Sequence, residues 1–248
     1  MKYNGMKIIK AIRNGNEIRC WYNGTDVVDG IVTDGLLFWI KSRDFSNSPP
    51  TTVMKDRSGQ NNDITPANFA YTTASGSDTA GGIVFDGSSD YLFSTISDKL
   101  KLTTLTVEWK GILKDLNAYR GLVEINSADF SGAIGRIMTF GTTLNFHPKY
   151  PGNPLIVDGS LVPLDTVITI AATYNSVTAV ACMYINGILV GTTQTSIDPN
   201  VYIVDPNVCI GQDMRMAGRF FNGTFYESRI YGRELTGAEL LKNHNATK

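Results

Sequence analysis

The glutamate and histidine side chains that could act as catalytic acids, bases or nucleophiles are isolated from one another in this sequence. Covalent catalysis needs two or more such groups together. Glu108 lies in an apolar stretch, and Glu124 has no acidic residue two positions away. The two histidines, His147 and His244, show neither the paired spacing of a zinc site nor partners placed to form a catalytic triad. We therefore predict no catalytic residue.

Oxygen-bearing side chains are concentrated in one turn, which suggests a different kind of site. Asp56, Asn61 and Asp63 fall within one short polar stretch. Calcium takes roughly six to eight oxygen ligands from flexible loops of this composition. The same residue types also hydrogen-bond their own backbone in tight turns, which would make the cluster structural. Both interpretations stay open, so the cofactor prediction is calcium or none.

The elements that must position these side chains are short strands. Residues 36–40 are almost continuously apolar, and residues 105–113 alternate apolar and polar side chains. Similar runs recur along the chain between turn residues, and only residues 236–243 indicate a helix, with Thr236 and Glu239 as a capping box. The pattern predicts an all-β fold, a two-sheet antiparallel β-sandwich with a short C-terminal helix. Four aromatic residues are predicted to point inward: Trp39, Phe85, Trp109 and Phe225.

The first residues form a unit of their own. An Asn-Gly pair at residues 14–15 separates two alternating runs, which predicts a small β-hairpin. A hairpin of this size buries too little surface to be stable alone, so it must pack on the main domain, a sister subunit or a larger assembly. We predict an attachment segment and linker over 1–34, with Trp21 and Tyr22 as attachment residues, and a single sandwich domain over 35–248.

Composition and charge exclude several classes of function. The 248 residues carry a formal net charge of -1, so a basic face for nucleic acid is not expected. No apolar run approaches the roughly 18 residues that span a bilayer, and residues 1–5 do not open a signal peptide. We expect a protein that is made in the cytoplasm without a signal peptide and inserts into no membrane.

Six segments together resemble one known family. They are Trp39, residues 55–63, 84–92, 105–109 and 184–187, and residues 221–240. In this order they resemble the laminin-G-like, concanavalin A-like lectin/glucanase jelly roll, over roughly residues 35 to 245. The resemblance implies a domain that binds sugars or proteins, often with calcium. The hydrolases of the family carry a Glu-x-Asp-x-(x)-Glu strand, which no segment here contains, so we predict that the protein is not an enzyme.

Loops of this scaffold are the expected place for sugar contacts, because recognition commonly lies on loops held by a rigid sheet. Residues 118–120, 145–153 and 213–219 are predicted to be irregular and combine tyrosine with basic side chains. Such side chains offer flat apolar area with a polar end. The predicted carbohydrate-binding residues are Tyr119, Arg120, His147, Tyr150 and Arg215.

The N-terminal hairpin resembles segments of bacteriophage tail and other virion proteins that precede a receptor-facing module. The leading hypothesis is a virion protein of a bacteriophage, homo-oligomeric on the particle. Its N-terminal segment would contact other virion proteins, and its jelly roll would bind host surface polysaccharide. The alternatives are a purely structural decoration or tail component and, third, an accessory module of a glycoside hydrolase.

Overall fold

The computed structural model describes residues 30–94, 100, 102–127, 129–130, 132–195 and 206–247, together with the backbone of the strands before residue 29. In chain order the strands are β1 (Lys2–Tyr3), β2 (Met6–Arg13), β3 (Asn16–Asn23), β4 (Asp26–Val28), β5 (Leu36–Lys41), β6 (Ile64–Ala67), β7 (Gly76–Ser77), β8 (Ile83–Asp86), β9 (Tyr91–Ser94), β10 (Leu105–Leu113), β11 (Arg120–Asn126), β12 (Ala133–Phe140), β13 (Thr143–Tyr150), β14 (Leu155–Asp158), β15 (Val167–Asn175), β16 (Val180–Ile185), β17 (Ile188–Gln194), β18 (Asn207–Ile210) and β19 (Asn222–Tyr231). One α-helix, α1 (Gly237–Ala246), follows them.

The first four strands form an antiparallel sheet in chain order. β2 and β3 pair with Arg13 opposite Asn16, so the predicted hairpin is confirmed, and β1 and β4 extend it to four strands. Trp21 and Tyr22, the predicted attachment residues, belong to β3, but their side chains lie outside the described residues.

The remaining strands form the two sheets of the predicted sandwich. One sheet has eight strands in the order β17-β16-β15-β10-β19-β8-β7, with β5 also paired to β19, and the other has the order β14-β13-β12-β11-β18-β9-β6. All their pairings are antiparallel, as the fold prediction requires. Within the described residues no helix is long and apolar enough to cross a membrane.

The main core lies between the two sheets and is rich in aromatic rings. Trp109 meets Phe221 edge to face at 5.4 Å between ring centres, and Phe85 contacts both Phe221 and Phe225. Each of these rings is at most 1% exposed, so the inward positions predicted for Phe85, Trp109 and Phe225 are confirmed. Such aromatic pairs add specific geometry to the burial of apolar surface.

Trp39 was predicted to share that core, and this prediction is wrong. Its ring belongs to a second cluster on the outer face of the eight-stranded sheet, beneath α1. Its indole nitrogen donates a hydrogen bond to Glu227, which a position in the main core would not allow. The side chain is buried because α1 covers it. The almost continuous apolar sequence of β5 shows that both faces of the strand are buried, but not which element covers each face.

Helix α1 is joined to the sheet by a buried amide. Asn243 is 0% exposed and accepts a 2.7 Å hydrogen bond from the backbone N–H of Val32. Its Nδ2 donates to Glu108 Oε2 at 2.9 Å and to the hydroxyl of Tyr231 at 3.0 Å. The predicted capping box of Thr236 with Glu239 is confirmed at the start of the helix.

Asn243→Ala should destabilise the protein strongly, because it leaves the Val32 N–H and one carboxylate oxygen of Glu108 buried without this partner. Each unsatisfied buried group costs about 1–3 kcal/mol. Asn245→Ala, the same change at an exposed position of the same helix, should alter stability by less than about 0.5 kcal/mol. Unfolding in urea measures both variants, and equal losses would contradict the role assigned to Asn243.

Candidate functional site

A buried ion pair lies on the outer face of the seven-stranded sheet. In β12 and β13, Ile137 stands opposite Phe146 in the main core, and Arg136 stands opposite His147. Because successive side chains alternate between faces, Arg136 and His147 point away from the core. Arg136 reaches β11, where its Nε lies 3.1 Å from Glu124 Oε2. Both partners are at most 1% exposed.

The loop after β18 folds over this ion pair and brings a second carboxylate. Asp213 is 0% exposed and accepts hydrogen bonds from Arg136, from Arg219 at 2.6 Å and from Arg215 at 3.2 Å. The backbone N–H of Met214 donates to Glu124 Oε1 at 2.9 Å, which joins the loop to the sheet.

The close approach of this loop requires a glycine beneath it. A Cβ atom at Gly121 would lie 2.4 Å from the backbone oxygen of Gln212, a separation that real Cβ atoms do not adopt. Any larger residue at position 121 would therefore displace the loop that carries Asp213.

Two of the arginines lie against tyrosine rings at the edge of this surface. The guanidinium carbon of Arg215 is 3.5 Å from the ring centre of Tyr150, and that of Arg219 is 4.8 Å from the ring centre of Tyr119. Tyr119 also contacts Phe140 at 4.2 Å, and these two rings are 41% and 43% exposed. We name Asp213, its three arginines and the two tyrosines the Asp213 cluster.

The structure brings together four of the five residues predicted to contact sugar, and the fifth stands beside them. Tyr119, Tyr150 and Arg215 belong to the Asp213 cluster, and the rings of His147 and Tyr150 meet in an edge-to-face contact with their centres 5.7 Å apart. Arg120 begins β11, where it pairs with Asp115 at 3.4 Å and not with Asp213.

One local prediction is wrong. Of the irregular loop predicted over residues 145–153, residues 145–150 belong instead to β13, which extends to Tyr150, and residues 151–153 lie outside a strand. His147 is consequently a buried strand residue, 7% exposed, whose ring contacts that of Tyr150 edge to face. The loop was predicted from the mixture of polar, aromatic and proline residues, whereas Pro148 occupies a position within the strand.

Four residues of this surface were not predicted as site residues: Glu124, Arg136, Asp213 and Arg219. Glu124 was noted only for its lack of an acidic neighbour. Its charged partner, Arg136, comes from β12, and a further donor, the Met214 N–H, comes from the loop after β18, whereas its partner on its own strand, Asn126, is an amide. A signal for Arg136 was present, since an arginine inside the otherwise uncharged run of β12 must find a buried counter-charge.

Burial sets the protonation of the two titrating groups on the sheet. It raises the pKa of Glu124 to about 7; Arg136 opposes this shift and Asp213 adds to it. It lowers the pKa of His147 to about 4, helped by the charge of Arg136, so this imidazole is neutral near neutral pH.

The turn predicted to bind calcium does not fit the ion. Both carboxylate oxygens of Asp56 accept hydrogen bonds within the chain, including one from the backbone N–H of Trp39 at 3.0 Å. Asp63 accepts from Lys55 at 2.5 Å and from the backbone N–H of Asp56, while Asn61 takes a positive φ of 64° in the turn. Among the described residues, no group of three or more His, Cys, Asp or Glu side chains is arranged to hold a metal.

A second concavity lies on the opposite side of the molecule, between α1 and the eight-stranded sheet. It encloses about 820 Å³. A β-bulge between Lys110 and Gly111 leaves Tyr226 as an extra residue of β19 beside it. Its lining residues are Lys110, Val167, Thr169, Asn186, Ile188, Tyr226, Leu241 and His244. Burial lowers the pKa of Lys110, so this wall of the cleft carries a partly desolvated amine.

Glu124→Gln should change how stability depends on pH. The pKa of Glu124 is raised from 4.5 to about 7, so this group contributes stability that is complete below about pH 4.5 and is lost as the pH rises through 7. The unfolding free energy of the native protein, relative to Glu124→Gln, should therefore fall on the order of 3 kcal/mol between about pH 4 and pH 8.

Urea unfolding at several pH values measures this difference. The lowered pKa of His147 has the opposite effect on stability, because the stability that this group contributes is lost as the pH falls from 6.5 through about 4. That contribution is present in both proteins and cancels in the comparison. A difference independent of pH would show that Glu124 is not the titrating group.

Comparisons with known proteins are consistent with this architecture. The binding domain of botulinum neurotoxin serotype D aligns with a TM-score of 0.57 at 14% identity, over 86% of this chain and 52% of the toxin domain. A structure of botulinum neurotoxin type C, whose cell entry depends upon interaction with two ganglioside molecules, aligns with a TM-score of 0.59 at 12% identity over 88% and 52% of the two chains. Domain 4 of AbnA, a GH43 extracellular arabinanase from Geobacillus stearothermophilus in complex with arabinotriose, aligns with a TM-score of 0.56 at 14% identity over 84% and 98%.

At these identities the structural likeness concerns the fold, and the chain spans about half the length of the toxin domains. No curated protein matches the chain. The family model described as the concanavalin A-like lectin/glucanases superfamily, Laminin_G_3, matches residues 86–241. Because that match covers more than half of the residues, the chain belongs to the concanavalin A-like lectin/glucanase superfamily.

Proposed function

We propose that the protein is a non-catalytic binding module that recognises a surface glycan at the Asp213 cluster. The observation that carries the proposal is the pair of arginine–tyrosine stacks held by one buried carboxylate. Arg215 and Arg219 both bond to Asp213, and their guanidinium groups lie against Tyr150 and Tyr119.

This arrangement suits a sugar because it offers apolar and polar contacts at fixed positions. Tyr119 and the adjoining Phe140 expose ring surface on which the C–H face of a sugar can pack. The guanidinium groups beside the rings donate hydrogen bonds to hydroxyl or acidic oxygens. Since the arginines are already held by Asp213, little conformational entropy is lost when a ligand binds.

Solved relatives of the same fold support a glycan as ligand. The matched arabinanase domain was crystallised with arabinotriose, and the type C toxin depends on two ganglioside molecules for cell entry. These ligands belong to those proteins; for this chain they favour a sugar over other ligand classes.

The absence of hydrolytic activity is part of the proposal. Hydrolysis of a glycosidic bond needs two carboxyl groups that flank the substrate. Glu124 and Asp213 are each 0% exposed and both contact Arg136, and Glu108 is 1% exposed beneath α1. Carboxylates buried in this way have no room for a sugar between them.

We further propose that the protein is a component of a bacteriophage particle, to which its N-terminal strands attach it. The supporting observation is that β1 to β4 form a sheet of their own, separate from the two sheets of the sandwich. Many copies on one particle, contacting other virion proteins and one another, would multiply a weak single-site affinity. A purely structural decoration or tail component is the alternative.

Tyr119→Ala and Arg215→Ala should each weaken glycan binding at least about tenfold, because each removes part of the apolar or donor surface. The measurement is binding of the full chain to a panel of bacterial surface polysaccharides. Tyr226→Ala, which changes a tyrosine beside the cleft on the opposite sheet, is the matched control and should bind normally.

Loss of binding in Tyr226→Ala alone would move the site to that cleft. If the unmodified chain binds no glycan, the structural alternative is favoured.

Trp21→Ala and Tyr22→Ala test the attachment. Each variant should be depleted from purified particles while the isolated chain keeps its glycan affinity, because the two functions lie on separate sheets. The amount of variant protein per particle is measured by immunoblotting, with Asn245→Ala as a control. Normal incorporation of both variants would exclude these two side chains as the attachment residues.

A further inference from the structure

Positive charge exceeds negative charge in the Asp213 cluster and its surroundings. Arg136, Arg215 and Arg219 face two acidic groups, Asp213 and Glu124. One positive charge is in excess when both acids are ionised, and two when Glu124 is protonated. The neighbouring pair of Arg120 with Asp115 is balanced and does not change this count.

The excess lies on the two arginines that border the exposed rings. Arg136 is 1% exposed and enclosed by the sheet and the loop, whereas the side chains of Arg215 and Arg219 are 10% and 25% exposed. Asp213 is fully buried beneath them, so a ligand approaching the surface meets the cations first. Cations with this little hydration attract an anion more strongly than fully solvated ones do.

The hydrogen-bond donors of these arginines are only partly used. Arg219 binds Asp213 through Nη1, and its Nε and Nη2 make no hydrogen bond to a described residue. Arg215 donates to Asp213 through Nε and Nη2, so its Nη1 likewise makes no hydrogen bond to a described residue. A guanidinium has donors on all its nitrogens and no acceptor. A ligand that binds to these remaining donors must therefore supply hydrogen-bond acceptors.

From this geometry we infer that the glycan bound by the Asp213 cluster is acidic, with carboxylates on its sugar rings; the inference rests on the function proposed above. A sugar ring lies on Tyr119 and Phe140, and its carboxylate accepts hydrogen bonds from Arg219, the more exposed arginine, with Arg215 adjacent. Planar guanidinium and carboxylate groups match in geometry, and charged hydrogen bonds of this type are roughly twice as strong as neutral ones.

The experiment compares each acidic glycan with its own neutral form. Polygalacturonate is compared with its methyl ester, and sialyllactose with lactose, by calorimetry with the full chain. The acidic form should bind at least about tenfold more tightly at low salt, and the preference should shrink as salt screens the charges.

Arg219→Gln and Arg215→Gln should each weaken binding of the acidic form more than binding of its neutral form, so the affinity ratio of the two forms should fall. Arg43→Gln removes the same charge from an exposed position after β5 and should leave the preference intact. Near-ultraviolet circular dichroism shows whether each variant retains the native fold.

The outcomes separate this inference from the proposed function. Equal affinity for the acidic and neutral forms would overturn the acidic preference but leave glycan binding standing. A preference that persists in both arginine variants would overturn the assignment to Arg215 and Arg219. Binding of neither form would contradict the proposed function itself.

Discussion

The burial of Asp213 is the constraint on which the candidate surface depends. A fully desolvated carboxylate is costly unless cations and hydrogen bonds compensate for its lost hydration. Asp213 obtains this compensation from three arginines, one on β12 and two on its own loop. The electrostatic requirement of one buried group thus fixes the shape of the loop, the position of the strand residue beneath it and the orientation of the guanidinium groups at the surface.

A buried arginine between two carboxylates also occurs on the other side of the sandwich. Arg229, 1% exposed, lies 3.2 Å from Glu108 and 3.4 Å from Glu227 on the outer face of the eight-stranded sheet. There α1 is the cover, and Trp39 and Asn243 complete the hydrogen bonding. Each outer face therefore carries an arginine between two carboxylates beneath a covering segment. The difference is that the loop over Asp213 supplies further cations, whereas the helix leaves a largely apolar cleft beside it.

The sequence was sufficient for the architecture and only partly for the site. Alternation in β10, the Asn-Gly pair at residues 14–15 and the capping box at Thr236 are local signals, and the strands and helix they predicted are present. The aromatic and basic residues Tyr119, Tyr150 and Arg215 could be selected because their side-chain types suit recognition. The buried ion pair beneath them, Asp213 with Arg136, could not be predicted. These two residues are 77 positions apart in the chain and meet only after β12 and β18 join the same sheet. The position of Trp39 was missed for a similar reason, since the helix that buries it is far away in the chain.

The hydrogen bond between Val32 and Asn243 helps to fix where the chain enters the sandwich. It places the stretch that leads from the N-terminal strands into the sandwich beside α1, on the outer face of the eight-stranded sheet. The Asp213 cluster occupies the outer face of the other sheet, so the thickness of the sandwich separates this cluster from the point where the chain enters the sandwich. The attachment proposed for the N-terminal strands would therefore leave the arginines and tyrosines on the far side of the sandwich, and the buried amide of Asn243, with the Tyr231 hydroxyl, holds the entering chain in this position.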